Sequence, residues 1–167
     1  MGRQLILIRH AKAEAGTNDR QRALTRRGLT DAAAIGRLLA EAGCQPDQAV
    51  VSPAIRARQT WDQAQAGLDG PVPVLIEEDI YRNRVDLLFE LVQRLPVELG
   101  CVALVGHNPA MAEFGYLLDD GNGDPAARAE LLAGYPTSAV ARFGVAAEWD
   151  QLVAGSATLL SFAVGRG

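Results

Sequence analysis

Apolar residues fall along this chain in two ways: as short unbroken runs, and as longer stretches where they return at helical spacing. Leu5-Ile6-Leu7-Ile8 and Val102-Ala103-Leu104-Val105 are runs of the first kind. Their length and branched side chains suit strands buried on both faces. Ala49-Val50-Val51 is a shorter run of the same sort. Val72 to Ile76 adds another, with Pro73 near its start, where an edge or entry position tolerates the missing N–H. The second kind lies between them. From Leu29, the residues Ala32, Ala33, Ile35, Gly36, Leu38, Leu39 and Ala42 recur at helical spacing, with Thr25 or Thr30 as the cap and Gly43 as the stop. Ser52-Pro53 opens a helix carrying Ile55, Thr60, Trp61, Ala64 and Leu68 that ends before Gly70-Pro71. Leu87, Leu88, Leu91, Val92 and Leu95 place a helix over 86–95, ended by Pro96, and Pro109 starts another through Leu118.

After the turn-rich run Asp119 to Pro125 and a short helix over 126–132, the pattern changes. Ser138 to Val145 and Ala157 to Val164 read as two strands joined through Glu148-Trp149-Asp150, an antiparallel addition at one edge. Alternating strands and helices predict an α/β fold: a three-layer α/β/α sandwich with a mostly parallel central sheet and an antiparallel strand near the C-terminus. With 167 residues and no repeat or linker, the expectation is a single domain over 1–167.

Composition narrows the function. Apolar residues make up 49% and charged residues 22%, the balance of a globular protein and not of a disordered one. A net charge of −4 argues against a nucleic-acid binder, which would present a basic face. Cys44 and Cys101 match neither a zinc site nor a redox pair. No run reaches membrane-spanning length, and the apolar run after Gln4 is cut short by Arg9-His10 before it could serve as a leader. The expectation is a cytoplasmic protein without a membrane partner.

Candidate chemistry gathers where strands stop. The chain has two histidines, His10 and His107, and each follows an apolar run directly. In an open α/β sheet, residues just beyond the carboxyl ends of parallel strands line the ligand crevice, so both imidazoles are expected in one pocket. A third strand ends in Ser52-Pro53-Ala54-Ile55-Arg56-Ala57-Arg58-Gln59-Thr60, where a helix start favours an anion and Arg56 adds a planar fork matched to phosphate oxygens. Arg58, two positions on, points elsewhere. Two histidines without a third ligand do not make a zinc site, so no metal and no cofactor is expected. Two arginines and two imidazoles suit a dianionic phosphoryl group, with one imidazole attacking phosphorus and the other groups balancing its oxygens. Taken singly, His10 and His107 also have blander readings, as a hydrogen-bonded loop residue and a helix cap.

In this order, Arg9-His10-Ala11-Lys12-Ala13, Ser52 to Thr60 and Leu104-Val105-Gly106-His107-Asn108-Pro109 resemble the histidine phosphatase superfamily, whose fold is phosphoglycerate-mutase-like. The short chain, Arg-His-Ala in place of Arg-His-Gly, and Arg22-Ala23-Leu24-Thr25-Arg26-Arg27-Gly28 in the first loop are similar to its SixA-like branch. The resemblance implies that His10 is the nucleophile that becomes phosphorylated and that Arg9, Arg56 and His107 complete the phosphate pocket. It implies for Arg22 a place within reach of the phosphate, the alternative being a solvated loop charge, and Asp19 could orient that loop. The implied partner is a protein bearing phosphohistidine or a small phosphorylated metabolite; a non-catalytic phosphate-recognition domain is the reading from another class. Larger family members carry an acid after the third strand, where this chain has Arg82; Glu78 and Asp79 read as a solvated acidic turn. A missing acid favours an imidazole leaving group over a sugar alkoxide. Adjacent arginines favour a neutral His10, whereas His107 is expected to serve best protonated. Trp61 is expected against the sheet and Trp149 at the edge pair, while Tyr81 reads as a core residue, the alternative being a place at the border of the pocket.

Overall fold

The computed structural model describes residues 2–167. Six strands form one sheet: β1 (Arg3–Arg9), β2 (Gln48–Val51), β3 (Val74–Ile76), β4 (Cys101–Gly106), β5 (Ala139–Val145) and β6 (Thr158–Val164). Their order is β3-β2-β4-β1-β5-β6. The first four run parallel, while β5 pairs antiparallel with both β1 and β6. This is the α/β sandwich expected from the pattern, with the antiparallel pair at one edge.

Pleating sends successive side chains to opposite faces, and the apolar runs supply both faces at once. Leu5, Leu7, Val102 and Leu104 join one core, and Ile6, Ile8, Ala103 and Val105 join the other. Helices α1 (Arg26–Glu41) and α2 (Ile55–Gln65) cover the second face through Ile35, Leu39, Ala57, Trp61 and Ala64. The first is covered by α3 (Glu78–Tyr81), α4 (Val85–Gln93), α5 (Ala110–Leu118) and α6 (Pro125–Ala133), through residues such as Ile80, Leu88, Leu91, Phe114 and Leu131. The crossovers from β1 to β2 and β2 to β3 advance across the sheet, and the next, to β4, turns back. Right-handed connections therefore put the helices that follow the reversal on the opposite face.

Several boundaries differ from the sequence pattern. Helix α1 begins at Arg26, not Leu29, because Thr25 caps it: its hydroxyl accepts the Gly28 N–H at 2.9 Å. Gly28 is required there, since a Cβ would lie 2.1 Å from the Lys12 carbonyl oxygen. Helix α2 starts at Ile55, after two residues that turn the chain out of β2. The third strand is confined to Val74–Ile76, a half-exposed edge. The acidic stretch expected as a solvated turn forms the short helix α3. Trp149 sits not in the edge pair but in a single 3-10 turn between β5 and β6, buried, with its Nε1–H donating to the Leu99 carbonyl at 2.8 Å.

Candidate active site

Three parallel strands end side by side. The ladder continues one residue past β1 and β2: the His10 N–H donates to Gly106 O at 3.0 Å and the Ser52 N–H to Val105 O at 3.1 Å. His10, His107 and Ser52, each the first residue beyond its strand, are thereby brought to one rim. The imidazole rings of His10 and His107 lie 5.2 Å apart between centroids, tilted by 55°. Both border a cleft of about 410 Å³, together with Arg9, Arg22, Arg56 and Asp19. All five site residues expected from sequence are thus brought to one cavity, and Tyr81, Asn83 and Asn108 complete its wall.

The segment after β2 holds this arrangement through four side chains. Ser52 Oγ lies 2.7 Å from His107 Nε2. Arg56 is buried and reaches back to the first loop, donating to the Asp19 carbonyl at 2.7 Å and its carboxylate at 3.1 Å. Gln59 Oε1 accepts the Leu24 N–H at 2.7 Å. Thr60 Oγ1 accepts the Ala11 N–H at 3.0 Å and donates to the Arg56 carbonyl at 2.6 Å. Helical spacing puts Arg56 and Thr60 on one face, while Arg58 turns out to solvent, as expected. The Ala11 methyl is fully buried against Leu24 and Ala32, so the site accommodates alanine after His10 without displacement.

The first loop is less free than its polarity suggests. Ala13 bridges Leu24, and a 3-10 turn over Asp19–Gln21 presents Asp19 to the cleft. The Asp19 carboxylate pairs with Arg56 and with Arg22 at 3.0 Å and accepts the Tyr81 hydroxyl at 2.6 Å. The Tyr81 hydroxyl and the two guanidinium groups hold this carboxyl far below the ordinary range, so it is ionised. Tyr81 corrects the core assignment: it is half-buried, stands edge-on to His107 at 5.8 Å, and carries Arg20 over its other side at 4.3 Å. Asn83, in a left-handed conformation at φ 60°, donates to the Asn108 carbonyl at 2.6 Å and accepts the Ala110 N–H at 3.0 Å. It ties the end of α3 to the start of α5.

Burial favours the neutral form of both imidazoles. Burial pushes His10 down to about 4, against the opposing Ala11 carbonyl and with help from Arg56, Arg9 and Arg22. Burial pushes His107 down to about 3, reinforced by His10 and Arg56. Enclosure beside positive charge thus opposes the protonated form of His107 that was expected to serve the phosphoryl group. His10 Nδ1 lies 2.7 Å from the Ala11 carbonyl, which takes a proton but cannot give one, so Nδ1 carries the hydrogen and Nε2 keeps its lone pair.

Other nitrogens of the site's arginine and histidine side chains have no partner in the protein. Arg9 donates through one terminal nitrogen to the Tyr135 carbonyl at 3.1 Å and has no acidic partner among the described residues. The Nε of Arg9, the Nε of Arg56 and Nδ1 of His107 are buried without any hydrogen-bond partner. Unpaired Nε atoms also occur at Arg3 and Arg142, so one alone means little. What distinguishes these three is that their side chains border a single cleft. Among the described residues, no group of three or more acidic, cysteine or histidine side chains could hold a metal, and no helix is long and apolar enough to cross a membrane.

Among the described residues that line the cleft, Asp19 is the one carboxylate. Arg82 stands outside the cleft, paired with Asp79 at 3.7 Å, and Glu78 is paired with Arg20 in solvent. Asn83 and Asn108 were not singled out as site residues by sequence, Tyr81 was read as a border of the pocket only as the second alternative, and Ser52 was read only as a helix opener. Asn83 and Asn108 each precede or follow a chain reversal, but their pairing across 25 residues leaves no local signal.

Comparison with known proteins agrees with this geometry. Residues 5–81 match the family model for the histidine phosphatase superfamily, branch 1. An uncharacterized protein of Mycobacterium tuberculosis is 32% identical over 95% of this chain and all of its own. Among solved structures, a putative phosphohistidine phosphatase SixA from Nakamurella multipartitia is 27% identical with a TM-score of 0.86, covering 99% of this chain and 97% of that one. A second, from Agrobacterium tumefaciens, is 28% identical with a TM-score of 0.81, covering 98% and 99%. The chain therefore belongs to the histidine phosphatase superfamily and is a phosphatase of the hydrolase class.

Proposed function

We propose that this phosphatase removes the phosphoryl group from protein-borne phosphohistidine by way of a phosphorylated His10. The observation that carries the reading is the set of buried, acceptorless donors on Arg9, Arg56 and His107 around a neutral imidazole whose Nε2 is free. The Nε2 lone pair forms a bond to phosphorus while the bond from phosphorus to the leaving imidazole nitrogen breaks, and that nitrogen takes a proton from water. Charge on the phosphoryl oxygens falls on Arg9, Arg56, Arg22 and His107. The Ala11 carbonyl, already accepting Nδ1–H, stabilises the cationic ring of phosphorylated His10. Water then attacks phosphorus, the bond to Nε2 breaks, and inorganic phosphate leaves with His10 restored.

The substrate class follows from the missing acid. The one carboxylate bordering the cleft, Asp19, is held ionised and cannot donate, and the Tyr81 hydroxyl is committed to it. A sugar alkoxide leaves poorly without general acid help, which is worth about 10²–10⁴-fold, whereas an imidazole leaves with less. The two solved structures described above are themselves designated putative phosphohistidine phosphatases. The test is a substrate panel: a phosphohistidine-bearing protein, a sugar phosphate and para-nitrophenyl phosphate. The expected order of kcat/KM puts phosphohistidine above the sugar phosphate by about 10²-fold or more. Equal or faster release from the sugar phosphate overturns this reading in favour of a small phosphoester. Binding of phosphoproteins without release of phosphate from any substrate would make the chain a recognition domain.

A further inference from the structure

We infer that Ser52 is a positioning residue that locks neutral His107 with its proton on Nδ1, so that an uncharged ring donates a hydrogen bond to the phosphoryl group. The inference rests on the phosphatase reading above for its consequence, but not for its geometry.

Ser52 is fully buried at the end of β2, so water cannot satisfy it. Its Oγ has two neighbours. One is the Ala54 N–H, which donates to it at 3.2 Å. The other is His107 Nε2 at 2.7 Å. A serine hydroxyl carries one hydrogen and two acceptor lone pairs. Were Nε2 protonated and donating, Oγ would accept twice and its own hydrogen would have no acceptor. A buried donor left unmade carries its full desolvation penalty. The arrangement that satisfies both groups has Oγ accepting from Ala54 and donating to Nε2. A neutral imidazole that accepts at Nε2 must carry its hydrogen on Nδ1.

Nδ1 is the ring atom without a partner in the protein. The deduced hydrogen therefore belongs to an orphan donor on a residue bordering the cleft, beside the equally unpaired Nε atoms of Arg9 and Arg56. The backbone supports the alignment: Ser52 N–H is anchored to Val105 O at 3.1 Å, two residues before His107 on the neighbouring strand. The strand that carries the arginine helix thus also sets the tautomer of the second histidine. A neutral donor keeps its role across the pH range in which an imidazolium would be lost.

The test uses nitrogen-15 NMR of the full chain at pH 7. Only two histidines contribute, and His10→Gln assigns the remaining ring to His107. The wild type is expected to show a protonated Nδ1 and an unprotonated Nε2 on His107. Ser52→Ala should move the proton toward Nε2, and Ser52→Thr, which keeps the hydroxyl, should restore the original pattern. In turnover, Ser52→Ala should lower kcat by about 10–100-fold, the range for loss of a group that orients a functional ligand. A protonated Nε2 in the wild type overturns the inference whatever the variants do, as does an unchanged tautomer in folded Ser52→Ala. The wild-type spectrum decides even if a variant fails to fold. A spectrum as expected in a chain that releases phosphate from no substrate would leave the tautomer assignment standing while the proposed function falls.

Discussion

At the amino ends of β1 and β4, polar groups other than Arg3 Nε are mostly paired within the protein. Asp47 Oδ2 accepts the N–H groups of Gly100 and Cys101 at 2.8 and 2.9 Å. Trp149 donates to Leu99, and Arg3 reaches the Ala147 and Val97 carbonyls while pairing with Glu148. At the carboxyl ends of the same strands, Arg9, Arg56 and His107 retain buried donors with nothing to bind. Arg3 and Arg9 sit six residues apart on one strand, yet only Arg3 meets a carboxylate. The strands are equally apolar between the two ends, so the contrast does not arise from the core. Arg3 Nε is buried without a partner too, so the contrast lies in clustering: at the carboxyl end the unpaired groups of Arg9, Arg56 and His107 belong to side chains that border one cleft.

The contrast breaks first at the arginines. Arg9→Ala and Arg56→Ala should each lower kcat/KM by about 10²–10³-fold, the usual loss for one donor to transition-state charge, while circular dichroism keeps its native form. A loss below tenfold at both would mean that the cleft does not carry the chemistry.

The histidines sharpen it through pH. A nucleophilic imidazole works when neutral, so activity rises with pH through its pKa. Because His10 is pushed down to about 4, kcat/KM on para-nitrophenyl phosphate should show no His10 step near 6.5 and should fall only as pH approaches 4. The same shift has a stability cost of the opposite region. Folded His10 binds its proton less readily than unfolded histidine, so its contribution is intact above pH 6.5 and is lost as pH falls toward 4. His10→Gln should flatten that part of the profile of Tm against pH.

Effects at the paired end should be smaller and of another kind. Asp47→Ala removes the acceptor of two backbone donors and should cost about 1 kcal/mol, or about 2–4 °C in Tm, with kcat/KM unchanged. Tyr81→Phe, which loses one hydrogen bond to Asp19 at the rim, should change KM by no more than about fivefold and leave the core intact.

Much of this contrast was legible in the sequence, and the reason is local. Leu5–Ile8 and Val102–Val105 are runs that only a two-sided core accommodates, and each hands over directly to a histidine. Arg56 and Thr60 share a helical face by spacing alone. Tyr81 was legible as cleft wall only as an alternative to the core, because its placement depends on Asp19, 62 residues earlier, folding across the sheet end. Ser52 was visible as a strand end but not as the partner of His107, since their contact spans 55 residues and two strands. Thr25 was one of two candidate caps, and only the close packing of Gly28 on Lys12 decided between them.

The most direct measurement is phosphoryl trapping. Brief reaction with a radiolabelled phosphohistidine protein, followed by denaturation, should leave on the wild type a label that survives base and is lost in acid, and His10→Ala should carry none. An unlabelled wild type during turnover, or a label of the same stability on His10→Ala, would contradict a covalent route through this imidazole.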